Sequence, residues 1–346
     1  MTSPTPVTRR RFLQQAFAFS AAASLAGCGH SGTQTSSSPP SSPQEQTSHI
    51  LLIGDWGTDV TPANQSQVAS AMQAYVATQN ISTGALLMLG DNFYGDLTGG
   101  AASSRWQTQF EQMYPASSFN CPVYAVPGNH DYQVDPVAKL DAELAYAQTG
   151  TSRWTMPSRY YRFTFPAQNP VITFIALDSN MPNEPAQPPP PDPSFYTPDP
   201  ASVAAELQWL EQSLSQPLNT PFLATMAHHP VYSNGPHGDN QTLINSWDPL
   251  LRQYGVHLYL AGHDHDLQHL EFTGHPTSFV LSGGGGAPLV PLQAADAGRG
   301  PFAQQVSGFT HLELQPELMT VRHLNTDGTV LHAFSKTPAG EVTILT

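Results

Sequence analysis

Five short apolar runs in this chain each lead into residues that can hold a metal or move a proton, and that recurrence constrains the fold more than any other feature. Ile50–Ile53 runs into Gly54-Asp55, Ala85–Leu89 into Gly90-Asp91-Asn92-Phe93-Tyr94, and Val123–Val126 into Pro127-Gly128-Asn129-His130-Asp131. Phe222–Ala227 runs into His228-His229-Pro230, and Val256–Ala261 into Gly262-His263-Asp264-His265. Short apolar runs suit buried strands, and the glycine that usually follows permits a sharp turn. Five such ends are expected to converge at one edge of a sheet, where ligands of open α/β sheets bind.

Helical patterns separate these strands. Thr61-Pro62 opens one helix with a cap and a first-turn proline, and Val68, Met72 and Val76 mark its buried face. Others read at Val137–Ala147, at Ser202–Leu214 with Val203, Leu207, Leu210 and Leu214, and at Gln241–Tyr254 with Ile244, Trp247 and Leu251. Trp209 and Trp247 read as core by their spacing. Alternating strands follow at Tyr160–Phe165, Val171–Leu177, Ser278–Leu281, Phe309–Leu314, Met319–Leu324 and Val330–Phe334. The alternation of strand and helix implies an α/β fold built from βα units. Met181–Pro200 holds nine prolines and reads as an irregular surface excursion. Gly283–Gly286 lacks the Gly-Lys-Ser/Thr of a P-loop and reads as a flexible turn beside the site.

The N-terminus reads as an address. Arg9, Arg10 and Arg11 are three of only 12 Lys and Arg residues, and no acid precedes Glu45. A mildly apolar run, Ala16–Ala26, follows, and then Gly27-Cys28. A basic cluster, a short apolar stretch and small residues make a secretory signal rather than a structural helix. The paired arginines before Phe12-Leu13 resemble a twin-arginine signal, and Leu25-Ala26-Gly27-Cys28 resembles a bacterial lipobox. Residues 1–28 are thus expected to be an export signal ending in a lipidated Cys28, residues 29–48 a Ser, Pro, Thr and Gln-rich tether, and residues 49–346 a single catalytic domain. The expected partner is the twin-arginine export machinery, and the expected location is the periplasm or cell surface, with a lipid on Cys28 as the only membrane attachment. With Cys28 lipidated, Cys121 is the one remaining thiol and no internal disulfide forms. Removing residues 1–27 leaves 9 cations against 26 acids, net −17. That balance argues against a nucleic-acid backbone as partner.

The residue types at the five ends specify the chemistry. Two carboxylates, a carboxamide and three histidines form a mixed oxygen and nitrogen ligand set, suited to hard or borderline cations and not to copper(I) or iron–sulfur clusters. Two metals roughly 3.5–4 Å apart need a bridging carboxylate, and such pairs serve phosphatases and nucleases.

Together, Gly54-Asp55-Trp56-Gly57, Gly90-Asp91-Asn92-Phe93-Tyr94, Gly128-Asn129-His130-Asp131, Ala227-His228-His229-Pro230 and Gly262-His263-Asp264-His265 resemble the five blocks of the metallophosphoesterase superfamily. More narrowly they are similar to purple acid phosphatases, over about residues 49 to 335. Most metallophosphoesterases have Asp-X-His in the first block, whereas this chain has Gly57 at the histidine position. Tyr94, three residues after Asp91, stands where purple acid phosphatases place a tyrosinate on iron(III). The resemblance implies a four-layer αββα sandwich with a dinuclear metal site at the strand C-terminal ends. It implies Asp55, Asp91, Tyr94 and His265 as ligands of Fe(III), and Asp91, Asn129, His228 and His263 as ligands of a divalent metal (iron, zinc or manganese), with Asp91 as the bridge. It also implies that His130 and His237 are outer-sphere histidines that hold phosphate and assist the leaving group. His229, next to a ligand, reads as a residue that supports the ligands from behind or as structural, and Trp56 and Phe93 as packing behind the metals.

Charge counting is compatible with a phosphate substrate. Two aspartates and a phenolate against a trivalent and a divalent ion leave the site about two charges positive, although no Lys or Arg lies in the five blocks. The expected function is acid hydrolysis of small phosphate monoesters by in-line attack of a metal-bound hydroxide. The alternatives are a diester or nucleotide hydrolase of the same superfamily, and a lipoprotein that binds metal or phosphate without turnover.

Overall fold

A computed structural model describes residues 47–58, 62–134, 136–180, 199–293 and 299–346. The segment expected to be an export signal, nearly all of the expected tether and residues 181–198 of the proline-rich stretch lie outside the described residues. The chain builds half of one sheet, then all of a second, then returns to the first. Strands β1 (Ser48–Ile53), β2 (Thr83–Met88), β3 (Val123–Ala125) and β4 (Trp154–Thr155) pair in parallel. The second sheet then forms from β5 (Tyr161–Phe165), β6 (Ile172–Ala176), β7 (Phe222–Met226), β8 (Leu258–Ala261), β9 (Leu267–Leu270), β10 (Ser278–Ser282) and β11 (Phe302–Gln304), in the order β11-β9-β10-β8-β7-β6-β5. The last four strands, β12 (Gly308–Gln315), β13 (Leu318–Asn325), β14 (Val330–Lys336) and β15 (Val342–Ile344), extend the first sheet, with β12 antiparallel to β1.

The period-two alternation of side chains in a strand explains the layering. In β1, Ile50 and Leu52 face the core between the sheets while Leu51 and Ile53 face outward; in β2, Ala85 and Leu87 face inward and Leu86 and Met88 outward. In the second sheet Leu258 and Leu260 of β8 join the central core, whereas Tyr259 and Ala261 face the other way. Strands with two buried faces require apolar residues at every position, which is why they read as unbroken runs. The outer face of the first sheet is covered by α1 (Pro62–Gln79) and α2 (Pro136–Ala147). The outer face of the second is covered by α3 (Pro200–Ser215), α4 (Gln241–Ser246) and α5 (Asp248–Gln253). The result is the αββα sandwich that the motifs implied. Val68, Met72 and Val76 of α1 are all buried.

Three expectations change. The helix expected over Gln241–Tyr254 is two helices meeting at Trp247, because Pro249 lacks an N–H and disfavours helical geometry in the residue before it. Trp247 is core, but Trp209 is only part-buried, packed on Tyr160 at the sheet margin. The five strand ends do not share one sheet edge: β1, β2 and β3 end together in the first sheet, and β7 and β8 in the second. Parallel neighbours end on the same side, and the two sheets stack with these ends together: a Cβ on Gly54, after β1, would lie 3.1 Å from Gly262 Cα, after β8.

Candidate metal centre

The chain leaves β1, β2 and β8 through strained turns. Asp55, Asp91 and His263 have φ of 61°, 51° and 71°, a left-handed conformation that persists where the surrounding structure enforces it. The neighbouring glycines make room for this. A Cβ on Gly128 would sit 2.2 Å from the Asp91 carboxylate, and one on Gly90 2.6 Å from the His228 ring.

Each predicted ligand meets the others. On one side the Tyr94 hydroxyl lies 3.3 Å from Asp55 Oδ1 and 3.1 Å from His265 Nε2. On the other, Asn129 Oδ1 stands 3.0 Å from His228 Nε2 and 3.1 Å from His263 Nδ1, and those two nitrogens are 3.2 Å apart. Asp91 belongs to both sets. Its Oδ1 is 3.3 Å from His228 Nε2, and its carboxylate also lies within 4.8 Å of the ligand atoms of Asp55 and His265. A bridging carboxylate requires this position.

Hydrogen bonds on the far sides of the rings set which atoms face inward. His228 Nδ1 is bound to the Leu89 carbonyl (2.9 Å) and His265 Nδ1 to the Pro288 carbonyl (2.7 Å), so each Nε2 presents a lone pair to the site. Asp55 Oδ2 accepts the His263 N–H (2.8 Å), and Asp91 Oδ1 accepts the His130 N–H (2.8 Å). His229 also lies within 4.8 Å of the His228 and His263 ligand atoms, but Ser179 Oγ holds its Nδ1 and accepts its N–H, both at 2.8 Å.

The electrostatics call for positive charge. Burial opposes a charged His228, yet Asp91 beside it lifts its pKa to about 9; burial likewise opposes a charged His265, and Asp55 lifts it to about 9. Burial, then the carboxylates of Asp91 and Asp55, push the Tyr94 hydroxyl well above the ordinary tyrosine value. His263 is held well below its usual value by burial and by the neighbouring His229 and His228 rings, which leaves its Nδ1 lone pair free. Converging lone pairs about 3 Å apart repel one another unless a cation lies among them, and that spacing matches neighbouring donors around an ion with bonds of roughly 2.0–2.1 Å. The donor set therefore fits two cations, an oxygen-rich site of Asp55, Tyr94 and His265 and a nitrogen-rich site of Asn129, His228 and His263, joined by Asp91.

Gly57 is not a ligand position left vacant. A Cβ there would lie 1.6 Å from the Asn92 carbonyl oxygen, because the two loop segments are pressed together and Tyr94 N–H donates to Gly57 O at 3.0 Å. Gly283–Gly286 is likewise not a flexible turn. All four residues are buried, Gly285 N–H donates to Gly54 O and Ala287 N–H to Asp55 O, and a Cβ on Gly283 would meet Asp264 O at 2.1 Å. The four glycines let this backbone pass directly behind Asp55.

His130 and His237 flank the ligands. The His130 ring is tilted against Tyr94 with centroids 4.1 Å apart, its Nε2 3.9 Å from Asp91 Oδ2. His237 lies 4.0 Å from the His263 ring, centroid to centroid, and its side chain is 51% exposed. Trp56 and Phe93 are fully buried behind the site, and Trp56 Nε1–H donates to Asn92 Oδ1.

Sequence reading missed several supporting residues. Asp264, between two ligands, turns to His237 Nδ1 (2.6 Å). Asp131 accepts the N–H groups of Gly128, Asn92 and Phe93. Glu143 of α2 accepts from Asn92 Nδ2 and is pushed well above the carboxylate range by burial and then by Asp131. Asp178-Ser179-Asn180 forms a sixth strand end: Asp178 accepts from the Tyr132 hydroxyl and Asn180 Nδ2 donates to Pro127 O, bracing the Asn129–His130 turn. That end follows an apolar run as the other five do, a signal present in the sequence.

The calcineurin-like phosphoesterase family profile matches residues 48–267. The chain is 31% identical to tartrate-resistant acid phosphatase type 5 of Mus musculus over 82% of this chain and 88% of the mouse protein. It is 29% identical to purple acid phosphatase 7 of Arabidopsis thaliana over 83% and 85% of the two chains. A purple acid phosphatase structure from Lupinus luteus superposes with a TM-score of 0.61 at 16% identity, covering 85% of this chain and 54% of that one. With its strand ends gathered into two adjoining donor sets, the chain belongs to the calcineurin-like phosphoesterase family and is a homologue of the purple acid phosphatases.

Proposed function

We propose that this phosphoesterase is an acid phosphatase that hydrolyses phosphate monoesters at an Fe(III) ion paired with divalent iron, zinc or manganese. The observation that carries the reading is the asymmetry of the two donor sets: the Tyr94 hydroxyl with Asp55 on one side, neutral imidazoles and a carboxamide on the other. A phenolate is a hard anionic donor that favours a trivalent ion, and neutral nitrogen suits a divalent one. When bound, the ions supply charge for the phosphoryl oxygens and activate water. The chain's own part is to hold and protonate. His130 and His237 stand on opposite flanks with partly exposed rings, placed to bind phosphoryl oxygens and to give a proton to the departing alcohol. Asp264 holds His237 through Nδ1, so its Nε2 is the atom turned outward.

Metal analysis with a visible spectrum tests the assignment, together with rates on mono- and diesters between pH 4 and 8. Two metal ions per chain of which at least one is iron, a visible charge-transfer band lost in Tyr94→Phe and a preference for monoesters are expected. A band that survives in Tyr94→Phe overturns the tyrosinate; preference for diesters overturns the substrate class, and absence of turnover by metal-loaded protein overturns the enzyme reading.

We propose in addition that the protein is exported folded and anchored through Cys28. The support is the order Arg9-Arg10, apolar run and Leu25-Ala26-Gly27-Cys28, and folding before export lets the metals load in the cytoplasm. Lysine at positions 9 and 10 is expected to retain the precursor in the cytoplasm; normal export of that variant refutes the route. Serine at position 28 is expected to release the protein from the membrane fraction.

A further inference from the structure

Four consecutive carbonyl oxygens around Tyr94 are held by two cations from outside the five motifs. Lys139 Nζ of α2 donates to the carbonyls of Phe93 (2.9 Å) and Gly95 (2.7 Å). Arg105 Nη1 donates to those of Tyr94 (2.7 Å) and Asp96 (2.6 Å), and its Nη2 to that of Gly57 (3.0 Å). The two cations therefore take alternate carbonyls along the segment.

Both cations are firmly seated. Lys139 is 3% exposed, rare for a lysine, and Arg105 Nε–H donates to Gln109 Oε1 (2.9 Å) with its guanidinium 5.3 Å from the Phe93 ring centre. Arg105 immediately precedes a π-helical stretch, Trp106–Glu111, an irregularity often found at functional sites. Gly57 brings the opposite segment so close that Arg105 reaches the carbonyls of both Gly57 and Tyr94.

We infer that Arg105 and Lys139 are positioning residues for Tyr94. They fix the backbone that carries the phenol, and so the position from which its oxygen meets Asp55 and His265. The inference rests on the proposed tyrosinate assignment. A ligand must be held within about 0.5 Å of its productive geometry, and a tyrosine on an unsupported Gly-flanked loop is not. The planar fork of Arg105 spans three carbonyls in fixed geometry, whereas an ammonium is a compact charge with rotatable donors.

The test uses full-length Arg105→Ala and Lys139→Ala, and the volume-retaining Arg105→Lys and Lys139→Gln. Iron affinity and the energy and intensity of the visible band per iron are read, with circular dichroism as a folding control. The expected result is iron affinity ~10–100-fold lower in the alanine variants, with a displaced and weakened band, and an intermediate band in Arg105→Lys. Wild-type band and affinity in the folded alanine variants overturn the inference; should those variants not fold, an unshifted band in both Arg105→Lys and Lys139→Gln overturns it equally. Wild-type protein that binds iron without a visible band refutes the tyrosinate reading instead, so the two failures are distinguishable.

Discussion

The buried Asp264 carboxylate lies 2.6 Å from Nδ1 of His237, although along the chain it sits between two inward-facing histidines, His263 and His265. Ser233 Oγ also donates to Asp264, and a Cβ on Gly235 would fall 2.3 Å from its carboxyl carbon. The loop that carries His237 is thus built around Asp264.

If Asp264 acts through His237, the effects of losing each are not additive. Asp264→Asn and His237→Ala are each expected to lower kcat/KM roughly 10–100-fold, and the double variant no further than His237→Ala alone. Multiplying effects in steady-state kinetics would break the link.

Gly57 marks where a ligand histidine cannot be restored. Gly57→His does not add a donor, because its Cβ would lie 1.6 Å from the Asn92 carbonyl oxygen. Even Gly57→Ala is expected to destabilise by about 3 kcal/mol through overpacking. Chemical denaturation checks this, and a stable Gly57→His with an extra histidine on iron would show that the segments can part.

Removing the metals leaves Asp55 and Asp91, 0% and 1% exposed, with the adjacent His265 and His228 imidazoles left to offset their charge. Chelation is expected to lower Tm by at least about 5 °C, with recovery on readdition of iron and a divalent ion. An unchanged Tm would mean that the donor sets are neutralised from within the protein.

The fold is expected to be acid-sensitive for reasons unrelated to the metals. Burial lowers His311 and His323 to about 3 and His332 to about 4. Unfolded, these rings titrate near ~6.5. Above that pH both states are neutral and the three groups leave stability unchanged. Below it the unfolded chain takes up protons that the folded chain does not, so stability falls until the folded values are reached. For His323 alone the loss is about 2 kcal/mol at pH 5. His323→Gln, which keeps a donor and an acceptor for Thr310 Oγ1 and Gln268 O, should flatten the dependence of Tm on pH between 7 and 5. A wild-type slope in that variant would exonerate this ring.

What was legible in the sequence was local. The doubly buried strands, the helix face of Val68, Met72 and Val76, and the donor types at five strand ends all follow from short-range patterns, since the period of a strand or helix is written into consecutive residues. The motif resemblance carried the αββα layering and the grouping of donors around Asp91. Tertiary structure decided what those residues rest on. That three ends belong to one sheet and two to the other depends on strand pairings between distant segments, such as β1 with β12. The orientation of Asp264 toward His237, and the clamping of Tyr94's loop by Arg105 and Lys139, likewise join residues 27, 11 and 45 positions apart. No periodicity relates such residues: a cation bound to a carbonyl oxygen contacts backbone, which has the same chemistry at every position, so only the fold specifies which carbonyls it meets.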